Sequence, residues 1–115
     1  MLEHDYLVRV ERAHGLPRGR RQASHRHAGS LMFRDVQYDD LELVVELDGR
    51  LFHGSVRARD RDMDRDLFAA VDGSETLRLG WGQVFDRPCA TARGVAAVMR
   101  RRGWTGALRT RPTCG

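Results

Sequence analysis

At 115 residues, 41% of them apolar and 31% charged, the chain is most simply one globular domain, large enough to bury roughly two-thirds of its unfolded surface. No stretch approaches the ~20 apolar residues of a membrane-spanning helix, and the opening Met-Leu-Glu-His-Asp-Tyr lacks the basic region and apolar core of a secretory signal, so the expected setting is cytoplasmic. A net charge of +4 comes from 20 basic and 16 acidic residues, and every basic residue is arginine; a lysine base or Schiff base is therefore excluded, while bidentate phosphate binding stays open.

In chain order, Leu2, Tyr6, Leu7, Val10 and Ala13 fall at helical spacing and predict a helix over 2–14, capped by Gly15 and stopped by Pro17. Arg18-Gly19-Arg20-Arg21 reads as a basic loop, and Gln22 to His27 as a weak strand with His25 and His27 on one side. After a turn at Gly29-Ser30, strands are predicted over Leu31–Tyr38 and Glu42–Asp48, joined through Asp39-Asp40 as an antiparallel hairpin. Met63, Leu67, Phe68, Ala70 and Val71 make the charged stretch Arg57–Val71 an amphipathic helix, closed by Asp72-Gly73. Thr76–Trp81 predicts a fourth strand, Val84 and Phe85 a loop before Pro88, and Ala90–Arg102 a helix with Val95, Val98 and Met99 as its apolar seam.

The order helix, three strands, helix, strand, helix describes a small α/β sandwich: a mixed sheet of about four strands flanked by helices. Residues 1–104 form the expected domain, and the Arg-, Thr- and Gly-rich residues 105–115 a disordered tail. Cys89 and Cys114 are too few and too irregularly spaced for a disulfide framework or zinc site, and both are read as reduced and incidental.

Chemistry concentrates where the third strand ends. The period of two sends Glu46 and Asp48 to one side of that strand, behind the apolar run Leu43-Val44-Val45, and Asp35 can join them across the hairpin. Acids ending a buried strand are paired, protonated or metal-bound. Two or three carboxylates with open positions suit Mg²⁺, which takes oxygen ligands and sits against phosphate. The competing reading is a solvated hairpin end. His53, five positions beyond Asp48, titrates near neutrality and suits a general acid or base. Asp62, Arg65 and Asp66 are spaced for helical ion pairing, with Arg65 as an alternative phosphate clamp. His25 with His27 makes a metal pair lacking a third ligand, and Arg100-Arg101-Arg102 complements a helix C-terminus or contacts a DNA backbone.

The ordered set Glu3…Gly15-Leu16-Pro17…Asp35…Val45-Glu46-Leu47-Asp48-Gly49…His53…Asp62…Arg65-Asp66 resembles an uncharacterised family of restriction-endonuclease-like domains related to very-short-patch-repair endonucleases, in particular its actinobacterial members. The likeness runs from Glu3 to about Trp104. It implies a restriction-endonuclease-like core and a DNA endonuclease dependent on Mg²⁺ or Mn²⁺. Asp35 and Glu46 would be metal ligands, with Asp48 where the family's Asp…Glu-x-Lys signature carries lysine. An acid there cannot supply a cation, so Asp48 would bind metal or orient water, and His53 or Arg65 would provide the proton or charge. Glu3 and Asp62 are implied supporting residues. DNA is the implied partner, and a homodimer is compatible with the resemblance. The alternative is a non-catalytic nucleic-acid-binding or toxin–antitoxin-type regulatory module on a degenerate nuclease fold. Family members often carry an N-terminal winged-helix region, so the chain could be a piece of a longer protein.

Overall fold

The computed structural model describes residues 2–27, 30–48 and 56–110, and within them all side chains except those of 23–27, 30–33, 56–59, 61, 62, 65 and 66. The expected helix over 2–14 divides. Leu2–Tyr6 is α-helical (α1) and Leu7–Arg12 continues as a π-helix. The wider turn carries Val10 and Glu11 to the buried side, where Glu11 is 2% exposed. Simple 3.6-residue spacing does not place a charged residue there, and π-turns of this kind are commonly tied to a local function. The stop is as expected: Gly15 lies at φ +69°, in the left-handed region that favours glycine.

Strand β1 spans Arg20–His27, so Arg20 and Arg21, expected in a loop, are drawn into the ladder by pairing with Gln37 and Val36. β2 (Ser30–Tyr38) leads through a 3₁₀ turn at Asp39–Leu41 to β3 (Leu43–Asp48), and the two pair antiparallel. α2 (Val56–Val71) then crosses to β4 (Glu75–Gly80), which lies parallel to β3. Parallel neighbours need such a crossover. The sheet order is β1-β2-β3-β4, the mixed four-stranded sheet flanked by helices that the pattern predicts. β4 ends at Gly80 rather than Trp81. There the chain turns into a second π-helical segment, Gly82–Asp86, which stacks Trp81 on Phe85 at 4.9 Å.

α3 (Pro88–Arg101) begins at Pro88, whose missing N–H costs nothing at a helix start. Its seam is Ala92, Val95, Ala96 and Met99, with Val98 only partly buried. That seam and the N-terminal helix cover one face of the sheet, closing on Tyr6, Val10, Val36, Leu43, Val45 and Leu79. Each large apolar side chain removed from water there contributes about 1.5–3 kcal/mol. The opposite face carries buried Val44, outside this cluster, while α2 packs on β4. Arg102 fastens the end of α3 to the sheet, donating to the carbonyls of Leu41 (2.6 Å) and Gly73 (3.0 Å). With Arg101 it grips Glu75, and the Arg101 hydrogen bonds hold that carboxyl below its usual range.

Residues 105–110, expected in a tail, return to the core: Leu108 packs against it and Arg109 N donates to His14 O at 2.7 Å. Cys89 is disulfide-bonded, which corrects its reading as a reduced thiol; Cys114 lies outside the described residues. No helix among the described residues is long and apolar enough to cross a membrane.

Candidate functional site

The β2–β3 ladder runs from Tyr38↔Leu43 to Val36↔Val45. One step further stand Asp35 and Glu46. There the Asp35 side chain takes over the ladder, its Oδ2 accepting the N–H of Leu47 at 2.7 Å. A carboxylate bound by a backbone N–H is held in a fixed orientation and keeps its other oxygen for a second partner. Gln22, whose φ of +49° marks a break in β1, faces this point in the β1–β2 register between Arg21↔Val36 and Ala23↔Arg34.

Alternation along β3 sends Val45 and Leu47 to the main core and Glu46 and Asp48 to the other face. Glu46 is 6% exposed. A carboxylate this far from water requires compensation by hydrogen bonds or opposite charge. The parallel register sets Arg78 of β4 directly beside it, and Gly80 beside Asp48. Arg78 is therefore a cationic neighbour on the face that carries the acids. Sequence reading missed it. The alternation Leu77-Arg78-Leu79 does point Arg78 away from the core, but pairing Arg78 with Glu46 depends on a register set by a crossover of more than twenty residues.

The remaining expected participants are distributed differently. Glu3 is turned to β1: its carboxylate accepts from Gln22 Nε2 at 2.7 Å and pairs with Arg21 Nε at 3.4 Å, bracing the break in that strand. His53 lies outside the described residues, as do the side chains of Asp62, Arg65, Asp66, His25 and His27. Among the described residues no group of three or more His, Cys, Asp or Glu side chains could hold a metal ion. The donor chemistry at Asp35, Glu46 and Asp48 is nonetheless all oxygen. It suits Mg²⁺, which uses one or two carboxylates and completes its shell with water and phosphate.

A second polar cluster lies on the core side of the sheet and has no counterpart in the sequence reading. Tyr38 Oη donates to Glu11 Oε2 at 2.6 Å, so the proton in its 2.8 Å contact with Tyr6 comes from Tyr6. Gly19 N also donates to Glu11, at 3.2 Å. Burial raises the Glu11 carboxyl above its usual range, opposed chiefly by the Tyr38 bond. Burial likewise lifts both tyrosines well above the usual tyrosine range. Gly19 is required here: a Cβ would collide with Val36 and come within 3.0 Å of Tyr38. His14, 1% exposed, sits alongside with Nδ1 3.0 Å from Val10 O. This network joins the π-helix to β2.

No family model, curated protein or solved structure matches the chain.

Proposed function

We propose that the chain is a restriction-endonuclease-like domain that hydrolyses DNA phosphodiesters with Mg²⁺. What supports the fold reading is the element order: helix, three antiparallel strands, crossover helix and a fourth strand parallel to the third. The observation that carries the functional reading is the meeting of Asp35 with the strand bearing Glu46 and Asp48, at the point where side-chain bonding replaces the β2–β3 ladder.

In this reading Asp35, through the oxygen not committed to Leu47, and Glu46 hold the ion. Bound there, Mg²⁺ supplies Lewis-acid polarisation of the phosphate and a more acidic water. Asp48, two residues along the same face, orients the attacking water. Arg78 supplies positive charge toward the phosphate oxygens, the task that an acid at position 48 leaves undone. His53 remains the candidate proton carrier.

The second reading is a nucleic-acid-binding module without catalysis. The specific observation favouring it is the acid at the lysine position together with the all-arginine basic set. Calorimetric titration with Mn²⁺ separates the two. Saturable binding in the wild type, lost in Glu46→Ala, supports the hydrolytic site. Wild-type protein that takes up no Mn²⁺ yet binds DNA in a salt-sensitive way transfers the assignment to the second reading.

A further inference from the structure

At the other end of the sheet, by the turn between β2 and β3, a cavity of about 250 Å³ opens between that turn, the segment before β1 and the chain leaving α3. β3 runs from Leu43 beside this turn to Asp48, so five residues at ~3.3 Å each put it roughly 17 Å from the acidic end. Its walls include Pro17, Leu41, Tyr38 and Trp104, and its charged lining residues include Arg18 and Asp40. The walls are held in place independently. Tyr38 is fixed through Glu11 and Tyr6, the Leu41 carbonyl is bound by Arg102, and Gly103 makes the left-handed turn after α3 at φ +113°. Asp39 at the rim is already engaged by Arg20 and Gln37. Arg18 and Asp40, by contrast, make no ion pair or hydrogen bond among the described residues.

Small-ligand sites are largely preformed cavities that combine apolar walls with a few polar groups, and this cavity has both kinds of lining. The Arg18 guanidinium, whose charge also acts on Glu11, and the Asp40 carboxylate stand among aromatic and aliphatic walls and specify the ligand further. It should be flat, with an acceptor or anionic edge for Arg18 and a donor edge for Asp40. Among the nucleobases guanine alone offers paired acceptors, O6 and N7, together with adjacent donors, N1–H and N2–H₂. We propose that this pocket binds a guanine base, either of a free nucleotide or unpaired in a DNA strand. The proposal rests on the nucleic-acid reading above, but it uses none of the residues of the acidic end.

The test is titration of the whole chain with dGMP, dAMP, dCMP and dTMP by calorimetry or saturation-transfer NMR. The pocket predicts dGMP binding about ten- to a hundredfold tighter than the other three, the discrimination a good bidentate contact provides. Asp40→Asn should reduce that preference, because the amide keeps one acceptor oxygen but sets a donor where the carboxylate's second oxygen met guanine's donors. Arg18→Ala should weaken dGMP binding, and Asp35→Ala should leave it unchanged. Both Arg18 and Asp40 are exposed, so the variants retain the fold. No saturable dGMP binding, equal binding of all four nucleotides, or an intact guanine preference in Asp40→Asn would overturn the proposal. Tighter capture of an oligonucleotide with one unpaired guanine than of dGMP identifies a strand as the source, and the reverse identifies a free nucleotide. A chain that nicks DNA but ignores dGMP loses only this pocket; one that binds dGMP and never nicks loses only the hydrolytic reading.

Discussion

Replacing Tyr38 by Phe removes a single oxygen from the middle of a buried chain of three side chains. That oxygen gives its proton to Glu11 at 2.6 Å and receives one from Tyr6 at 2.8 Å. Tyr6, Glu11 and Tyr38 are each 3% exposed or less, so water cannot stand in for it. Two losses combine. A hydrogen bond to a charged acceptor contributes about 1.5–3 kcal/mol, and a buried hydroxyl left without an acceptor costs about 1–3 kcal/mol. The expected destabilisation is about 3–5 kcal/mol, a large share of a small domain's total. Tyr6→Phe is the control. It removes only the terminal donor, leaves Tyr38 on Glu11, and should cost about 1 kcal/mol. Urea unfolding followed by tryptophan fluorescence and far-ultraviolet circular dichroism measures both, with an unchanged denaturant slope showing that the native state is otherwise intact. A Tyr38→Phe protein no less stable than Tyr6→Phe would refute the idea that this hydroxyl holds Glu11 in place.

Further outcomes follow from the same geometry. Gly19→Ala must push a methyl into Val36 and Tyr38, and should cost about 1–3 kcal/mol by overpacking; an unchanged melting temperature would contradict the close approach. Both tyrosines titrate above their ordinary range in the folded chain. The folded state therefore keeps protons that the unfolded chain releases: this stability is full below the ordinary tyrosine value of ~10 and is lost as pH rises through it toward the folded values. Urea midpoints between about pH 9 and 11 should fall steeply in the wild type and less in Tyr6→Phe, with equal slopes counting against the network. If Arg78 faces phosphate, Arg78→Ala lowers DNA affinity and reduces the salt slope by about one, read by fluorescence anisotropy; an unaltered slope removes it from the interface.

Much of the sheet was legible because its residues obey local rules. Leu43-Val44-Val45 and the Asp39-Asp40 turn define the hairpin, and a period of two is enough to put Glu46 and Asp48 on the same face. Gly15 and Pro17 mark a helix end by backbone geometry alone, and the seam at Val95 and Met99 needs only a period of 3.6. What escaped depends on distant partners. The π-helix brings Glu11 inward to meet Tyr38 and Gly19, contacts that helical spacing does not encode. Arg20 and Arg21 read as a basic loop until β2 offers them a ladder. Glu3 carries a helix-end acid's usual signature, yet its orientation is decided by Gln22 and Arg21 of β1. Arg78 became a neighbour of Glu46 only through the parallel register.

The most direct measurement is nicking of supercoiled plasmid by the purified chain with Mg²⁺ or Mn²⁺, wild type against Asp35→Ala and Glu46→Ala. Hydrolysis at the Asp35–Glu46 end of the sheet predicts metal-dependent conversion to open-circular DNA by the wild type and at least a hundredfold less, about 2.7 kcal/mol of barrier, in either variant. Nicking by the variants at the wild-type rate, or no metal-dependent nicking by a wild-type chain that binds DNA, would contradict it.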